Sequence, residues 1–186
     1  SLRGTGYLTK SVAGTLNISS LNSTGTIAVT GGDLATNTKI ADRVATITGD
    51  TASITQTAAF RNVGSTSTGS LTVTEGGEFI LSSTSLFNRL TIGSSDGSQG
   101  TVTVNGVGSS ILSNGSLRAA SSGTGILNLE DGATATFNRA SSDSFVGRNS
   151  TGDGTVNLSG ENTALDIAAR LVIGNSGTGT VNIASG

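Results

Sequence analysis

The sequence predicts an all-β fold: a parallel β-helix with three short strands per coil and about six to seven coils. Two observations predict it. A phrase of glycine followed by alternating apolar and small polar residues recurs at Gly69, Gly100, Gly125, Gly154 and Gly179, spaced 31, 25, 29 and 25 residues apart. Such spacings fall in the range of solenoid repeats. No stretch between the copies carries the apolar spacing of a crossover helix, so the copies must stack on one another through strands and turns alone.

Each coil divides into three strands. The first is the repeated phrase itself, as in Gly100-Thr-Val-Thr-Val-Asn and Gly154-Thr-Val-Asn-Leu-Ser. Strict alternation sends successive side chains to opposite faces. It places Val102, Val104, Leu127, Leu129, Val156, Leu158, Val181 and Ile183 inside, and Thr101, Thr103, Asn105, Asn128, Thr155, Asn157, Thr180 and Asn182 outside. On this reading an aspartate at position 157 meets solvent and costs less than about 1 kcal/mol. A second apolar patch follows at residues 79–81, 110–112, 135–137 and 164–167, and a third at 90–93, 117–120, 145–147 and 171–174. Segments of Gly, Ser, Thr, Asn and Asp then lead into the next glycine, which is turn chemistry.

Residues 1–64 follow the pattern loosely and are read as irregular coils of the same solenoid, continuous with regular repeats over 65–186. Gly14-Thr-Leu-Asn-Ile, Gly25-Thr-Ile-Ala-Val and Val44-Ala-Thr-Ile-Thr-Gly49 read as first strands, and Phe60-Arg-Asn-Val-Gly64 as a third strand. A separate entry or capping element is the alternative. The last unit, from Gly179, carries a first strand only, so the chain is expected to be a fragment of a longer solenoid.

Composition limits the chemistry. The 186 residues include no Cys, His, Trp, Met or Pro, so the side chains that build soft metal sites and nucleophilic triads are missing. No cofactor, metal site or catalytic residue is expected, and carboxylates are the only reagents left. A net charge of -2, a pI near 4.9 and few aromatic residues argue against a nucleic-acid partner. Apolar runs are too short to span a bilayer, and an export signal is expected outside the sequence.

At the repeated phrases the sequence resembles the passenger-domain repeats of bacterial autotransporter adhesins, the type V secreted proteins. The likeness rests on Gly100-Thr-Val-Thr-Val-Asn-Gly-Val-Gly-Ser109, Gly123-Thr-Gly-Ile-Leu-Asn-Leu-Glu-Asp-Gly-Ala133 and the run from Leu171 to Ile183, and it covers about two-thirds of the chain. The resemblance implies a right-handed β-helix and export through a C-terminal outer-membrane barrel outside this sequence. It also implies an extracellular, surface-anchored or secreted location. The function it implies is that of a non-enzymatic rod that presents an adhesive surface to a host or bacterial glycan or protein, or to copies of itself. The irregular first sixty residues depart from the family pattern, which leaves two-partner secreted adhesins and surface-layer proteins open.

Three sets of residues are weighed for function. Polysaccharide-cleaving β-helix enzymes and tailspikes use two carboxyls roughly 5 to 10 Å apart across a cleft. The acidic pairs here are Glu75 with Glu78, Glu130 with Asp131 and Asp153 with Glu161, each beside glycine at a strand end where a solvated turn acid is the ordinary reading. The outward Thr and Asn ladder offers a flat binding surface, or a column of amides bonded along the stack. Arg89 and Arg170 precede matching third strands, while Arg118 falls one place differently. An acidic-glycan site would need several such arginines on one face.

Overall fold

The computed structural model describes residues 2–4, 6–19, 21–23, 25–37, 41–57 and 61–185, and the expected positions Phe60 and Gly186 lie outside them. The chain enters through β1 (Leu2–Gly4), and a first coil follows in β2 (Leu8–Ile18) and β3 (Leu21–Ser23). The second coil holds β4 (Ile27–Thr36) and a bridge from Ala41 to Val63. The third is β5 (Val44–Thr48), β6 (Ala52–Gln56) and β7 (Arg61–Val63). The fourth and fifth are β8 (Thr68–Thr74), β9 (Glu78–Leu81), β10 (Arg89–Ile92), then β11 (Gln99–Asn105), β12 (Ser110–Ser113), β13 (Ser116–Ala119). The sixth and seventh are β14 (Thr124–Glu130), β15 (Thr134–Phe137), β16 (Ser144–Val146), then β17 (Asp153–Ser159), β18 (Ala164–Ile167), β19 (Leu171–Ile173). β20 (Thr178–Ala184) opens an eighth.

Every pairing between these strands is parallel and joins a strand to its equivalent one coil away. The molecule is therefore a parallel β-helix, roughly 35 Å tall at about 4.8 Å per coil. Three faces result. The first stacks β4, β5, β8, β11, β14, β17 and β20, the second stacks β4, β6, β9, β12, β15 and β18, and the third stacks β7, β10, β13, β16 and β19.

In-register pairing turns the period-two pattern into columns. Ala45, Leu71, Val102, Leu127, Val156 and Val181 lie one above another, as do Ile47, Val73, Val104, Leu129, Leu158 and Ile183. From Ala45 to Val156 and from Ile47 to Leu129 these residues are fully buried. Each burial of a Val, Leu or Ile contributes roughly 1.5–3 kcal/mol. The inward and outward assignment read from the first strands holds for the buried part of these columns, while Leu158 and Val181 are half-buried and Ile183, expected inside, is 79% exposed because no described coil covers it.

The glycine that opens each first strand is fixed by space. It points inward at the corner where the preceding third strand ends. A Cβ at Gly69, Gly100, Gly125, Gly154 or Gly179 would lie 2.2, 2.1, 2.3, 2.4 or 2.3 Å from the carbonyl oxygen of Ala41, Val63, Ile92, Ala119 or Val146. No side chain fits there.

The first coils differ from the expectation in one respect. Thr15 to Ile18 pair with Asp33 to Thr36, and Gly32 to Thr36 pair with the second-face strand β6. Gly14-Thr-Leu-Asn-Ile is thus a second-face segment, not a first strand. The physical reason is that β2 and β4 run through the corner between the first two faces without a turn, absorbing it in register shifts on either side of Ser11. Gly14 takes a φ of 88° in that bulge. Lys10 occupies the inward column of Val29, and its Nζ donates to the carbonyls of Val12 and Gly31, the latter at 3.0 Å. Gln56 and Arg61 also occupy inward positions, with burial lowering the Arg61 pKa to about 10. Polar residues in core columns blur the pattern over this part of the chain.

Candidate binding surface

The acidic pairs are held at corners, not across a cleft. Glu75 and Asp131 are exposed turn residues with φ near 54°, just past the ends of β8 and β14. Glu130 accepts from Asn105 Nδ2 at 3.0 Å, and Asp131 accepts from the same amide at 3.3 Å. Asp153 begins β17 and Glu161 follows its end, so a seven-residue strand of about 20 Å separates them. Glu78 shares a shallow trough with Asp50, Ser53 and Ser110. The carboxyl that shares its trough is therefore Asp50, one coil below, which no local spacing in the sequence marks.

The Thr and Asn ladder bonds to itself. Thr72, Thr103, Asn128, Asn157 and Asn182 form one outward column. Asn128 Nδ2 donates to Thr103 Oγ1 at 3.4 Å, Asn157 Nδ2 to Asn128 Oδ1 at 2.8 Å, and Asn182 Nδ2 to Asn157 Oδ1 at 2.8 Å. Amides bonded along the stack are less available to a ligand.

The third face is different. Arg118 lies opposite Thr91 and Phe145, two positions beyond the level of Arg89 rather than one. Parity makes that difference decisive, because one place would have turned Arg118 into the core while two keep it outside with Arg89. Arg148, in the turn after β16, stacks over the Phe145 ring with its guanidinium carbon 5.3 Å from the ring centre. A guanidinium over an aromatic face is held in orientation as well as attracted.

Three arginines therefore converge on coils four to six. Burial lowers the Arg118 pKa to about 10, with the charges of Arg89 and Arg148 adding to the shift. Burial and the charge of Arg148 likewise lower that of Arg89. These like charges repel one another, and that repulsion is carried by the fold. Thr91 faces outward yet is only 3% exposed, so neighbouring side chains of the face cover it. Arg170 behaves otherwise, pairing with Asp143 at 2.6 Å through a largely exposed side chain.

No family model, curated protein or solved structure matches the chain. Among the described residues no group of three or more metal-ligating side chains is brought together. No helix of the described residues is long and apolar enough to cross a membrane.

One edge of the arginine face is built by loops of unequal length. Coil five turns from its second to its third strand through residues 114–115 alone, while coils four and six use 82–88 and 138–143. Arg139 Nη1 reaches over the short corner to Ser85 O at 2.9 Å, tying the two longer loops together. Leu86 and Phe87 project from the first of them, 77% and 62% exposed. Aligning the third strands on Gly93, Ala120, Gly147 and Gly174 would have placed Arg118 above Thr91 and below Phe145. Arg148 belongs to a turn with no repeating pattern and left no such signal.

Proposed function

We propose that this chain is a segment of a bacterial cell-surface or secreted adhesin passenger: a rigid rod that carries no catalytic site and presents adhesive chemistry on its outer faces. The observation that carries the reading is the unbroken register of β8, β11, β14, β17 and β20, residue for residue over seven positions. A continuous ladder of this kind resists bending and leaves outward side chains free to vary without cost to the core. The resemblance of the repeated phrases to autotransporter passengers supports the same reading and an extracellular location.

Beads coated with the folded chain are expected to aggregate with one another, or to attach to bacterial or host cell layers, more than beads coated with heat-denatured chain. Equal attachment by both would overturn the proposal. Polysaccharide cleavage, the enzymatic rival, is favoured only by the trough that Asp50 and Glu78 share. Release of reducing sugar from a polysaccharide panel, abolished by Glu78→Gln, would establish it instead.

A further inference from the structure

We propose that the third face at coils four to six is a binding site for an acidic oligosaccharide, one whose closely spaced carboxylate or sulfate groups are gripped by Arg89, Arg118 and Arg148. The inference names a ligand class for the adhesive rod and in that sense rests on the preceding reading.

The charge argument comes first. The protein is acidic overall, with ten cationic against twelve anionic side chains, so arginines could be spread among carboxylates at little cost. Here three are gathered where their charges act on one another. Arg118 Nε is buried with no hydrogen-bond partner among the described residues. Like charges held together and partly desolvated are costly unless an anion joins them. Asp143, which precedes β16, is committed to Arg170.

Geometry then selects the kind of anion. Guanidinium groups bind carboxylate and sulfate oxygens through paired, planar N–H donors. The stack fixes their placement, since β10 and β13 are adjacent strands about 4.8 Å apart, Arg118 lies two residues further along its strand than Arg89, and Arg148 follows β16 on the next coil. Its stacking on Phe145 limits its motion before any ligand arrives, which reduces the ordering cost of binding. The tied loops 82–88 and 138–143 wall one edge and offer Leu86 and Phe87 to the apolar face of a sugar ring. A short saccharide with charges on successive units matches cations set on successive coils in a diagonal. Nucleic acid fits less well, because the rest of the surface repels a long polyanion.

Titration of the intact chain at about 0.15 M ionic strength tests the site. The probes are a sulfated heparin tetrasaccharide, an oligogalacturonate carrying carboxylates only, a neutral dextran fragment and a DNA oligonucleotide of matched charge. One or both acidic saccharides are expected to bind and raise the melting temperature. Which of the two binds assigns the group recognised. Arg118→Gln and Arg148→Gln are each expected to weaken binding roughly tenfold, while Arg170→Gln, removing an arginine already paired, changes it less than about twofold. Circular dichroism confirms that each variant is folded, and the turn position of Arg148 keeps the test usable if Arg118→Gln is not. Binding of neither saccharide, unchanged affinity in folded variants, or equally tight binding of the DNA would overturn the site. Bead attachment without saccharide binding would sink this site and leave the adhesive rod standing. Saccharide binding without bead attachment would do the reverse.

Discussion

Val156 and Asn157 are neighbours in β17, yet they sit in different media. Val156 is fully buried between Leu127 and Val181, so Val156→Asp places a carboxylate in an apolar column and is expected to cost several kcal/mol or to abolish soluble expression. Asn157 faces outward, but its amide donates to Asn128 and accepts from Asn182. Asn157→Asp removes the donor and sets a carboxylate against Asn128 Oδ1, so it is expected to cost about 1–2 kcal/mol, more than outward placement alone implies. Urea melts of the two variants check the order: equal losses would overturn the inward and outward assignment, and no loss in Asn157→Asp would mean the ladder contributes nothing. Asp42 supplies a pH-dependent counterpart. Burial pushes its carboxyl up, but N–H donors of Ser67, Thr66 and Ser65 and the Thr66 hydroxyl outweigh that and hold it below its ordinary value. A carboxyl lowered in the folded state adds stability above its unfolded pKa, near 3.9, and that stability fades as pH falls through the folded value. Melting temperature followed from pH 6 to pH 2 is expected to fall below about pH 4, and less steeply in Asp42→Asn. Superimposable acid limbs would remove Asp42 from the account.

At the scale of a strand, the corner between the third and first faces decides which residues are allowed. Gly100→Ala would drive a Cβ to 2.1 Å from Val63 O and 2.6 Å from Gly93 N, both backbone atoms. It is expected to cost more than about 3 kcal/mol or to prevent folding. The opposite change is available one coil on. Gly64, Gly93, Gly147 and Gly174 share a left-handed corner with φ of 67–73°, and Ala120 occupies the equivalent place at φ 64°. Ala120→Gly is expected to stabilise by up to about 1 kcal/mol, read as a raised urea midpoint; a lowered midpoint would show that the buried methyl outweighs the backbone strain. The corner also explains how much was legible in the sequence. From Gly69 onward the glycine that no side chain can replace marks where each strand begins, and alternation then gives its inward face. In β2 and β4 the corner is a bulge inside one continuous strand, which no apolar pattern announces, and Lys10 in a core column hides the alternation as well. The Thr and Asn ladder was visible because it repeats within the strand that repeats best. The arginine cluster was not, since it depends on vertical neighbours from three coils and on a turn residue.

For the whole molecule, repetition makes each coil a unit whose neighbours supply most of its stability. The hydrogen bonds between coils run along the long axis of the rod, from each strand to its equivalent above and below. That orientation has a mechanical consequence. A pull along the axis loads the bonds of one interface at a time, as a zipper does, whereas a sideways load is shared by the sheets of all three faces. Under tension the rod is expected to yield coil by coil, each release paying out the 25 to 31 residues of one repeat, roughly 80 to 110 Å of extended chain. Single-molecule stretching would record a regular sawtooth with steps of that size, and a single rupture of the whole length would disprove it. A rod that yields this way lengthens before it breaks, absorbing the energy of a passing shear pulse while its remaining coils keep hold of whatever they have bound.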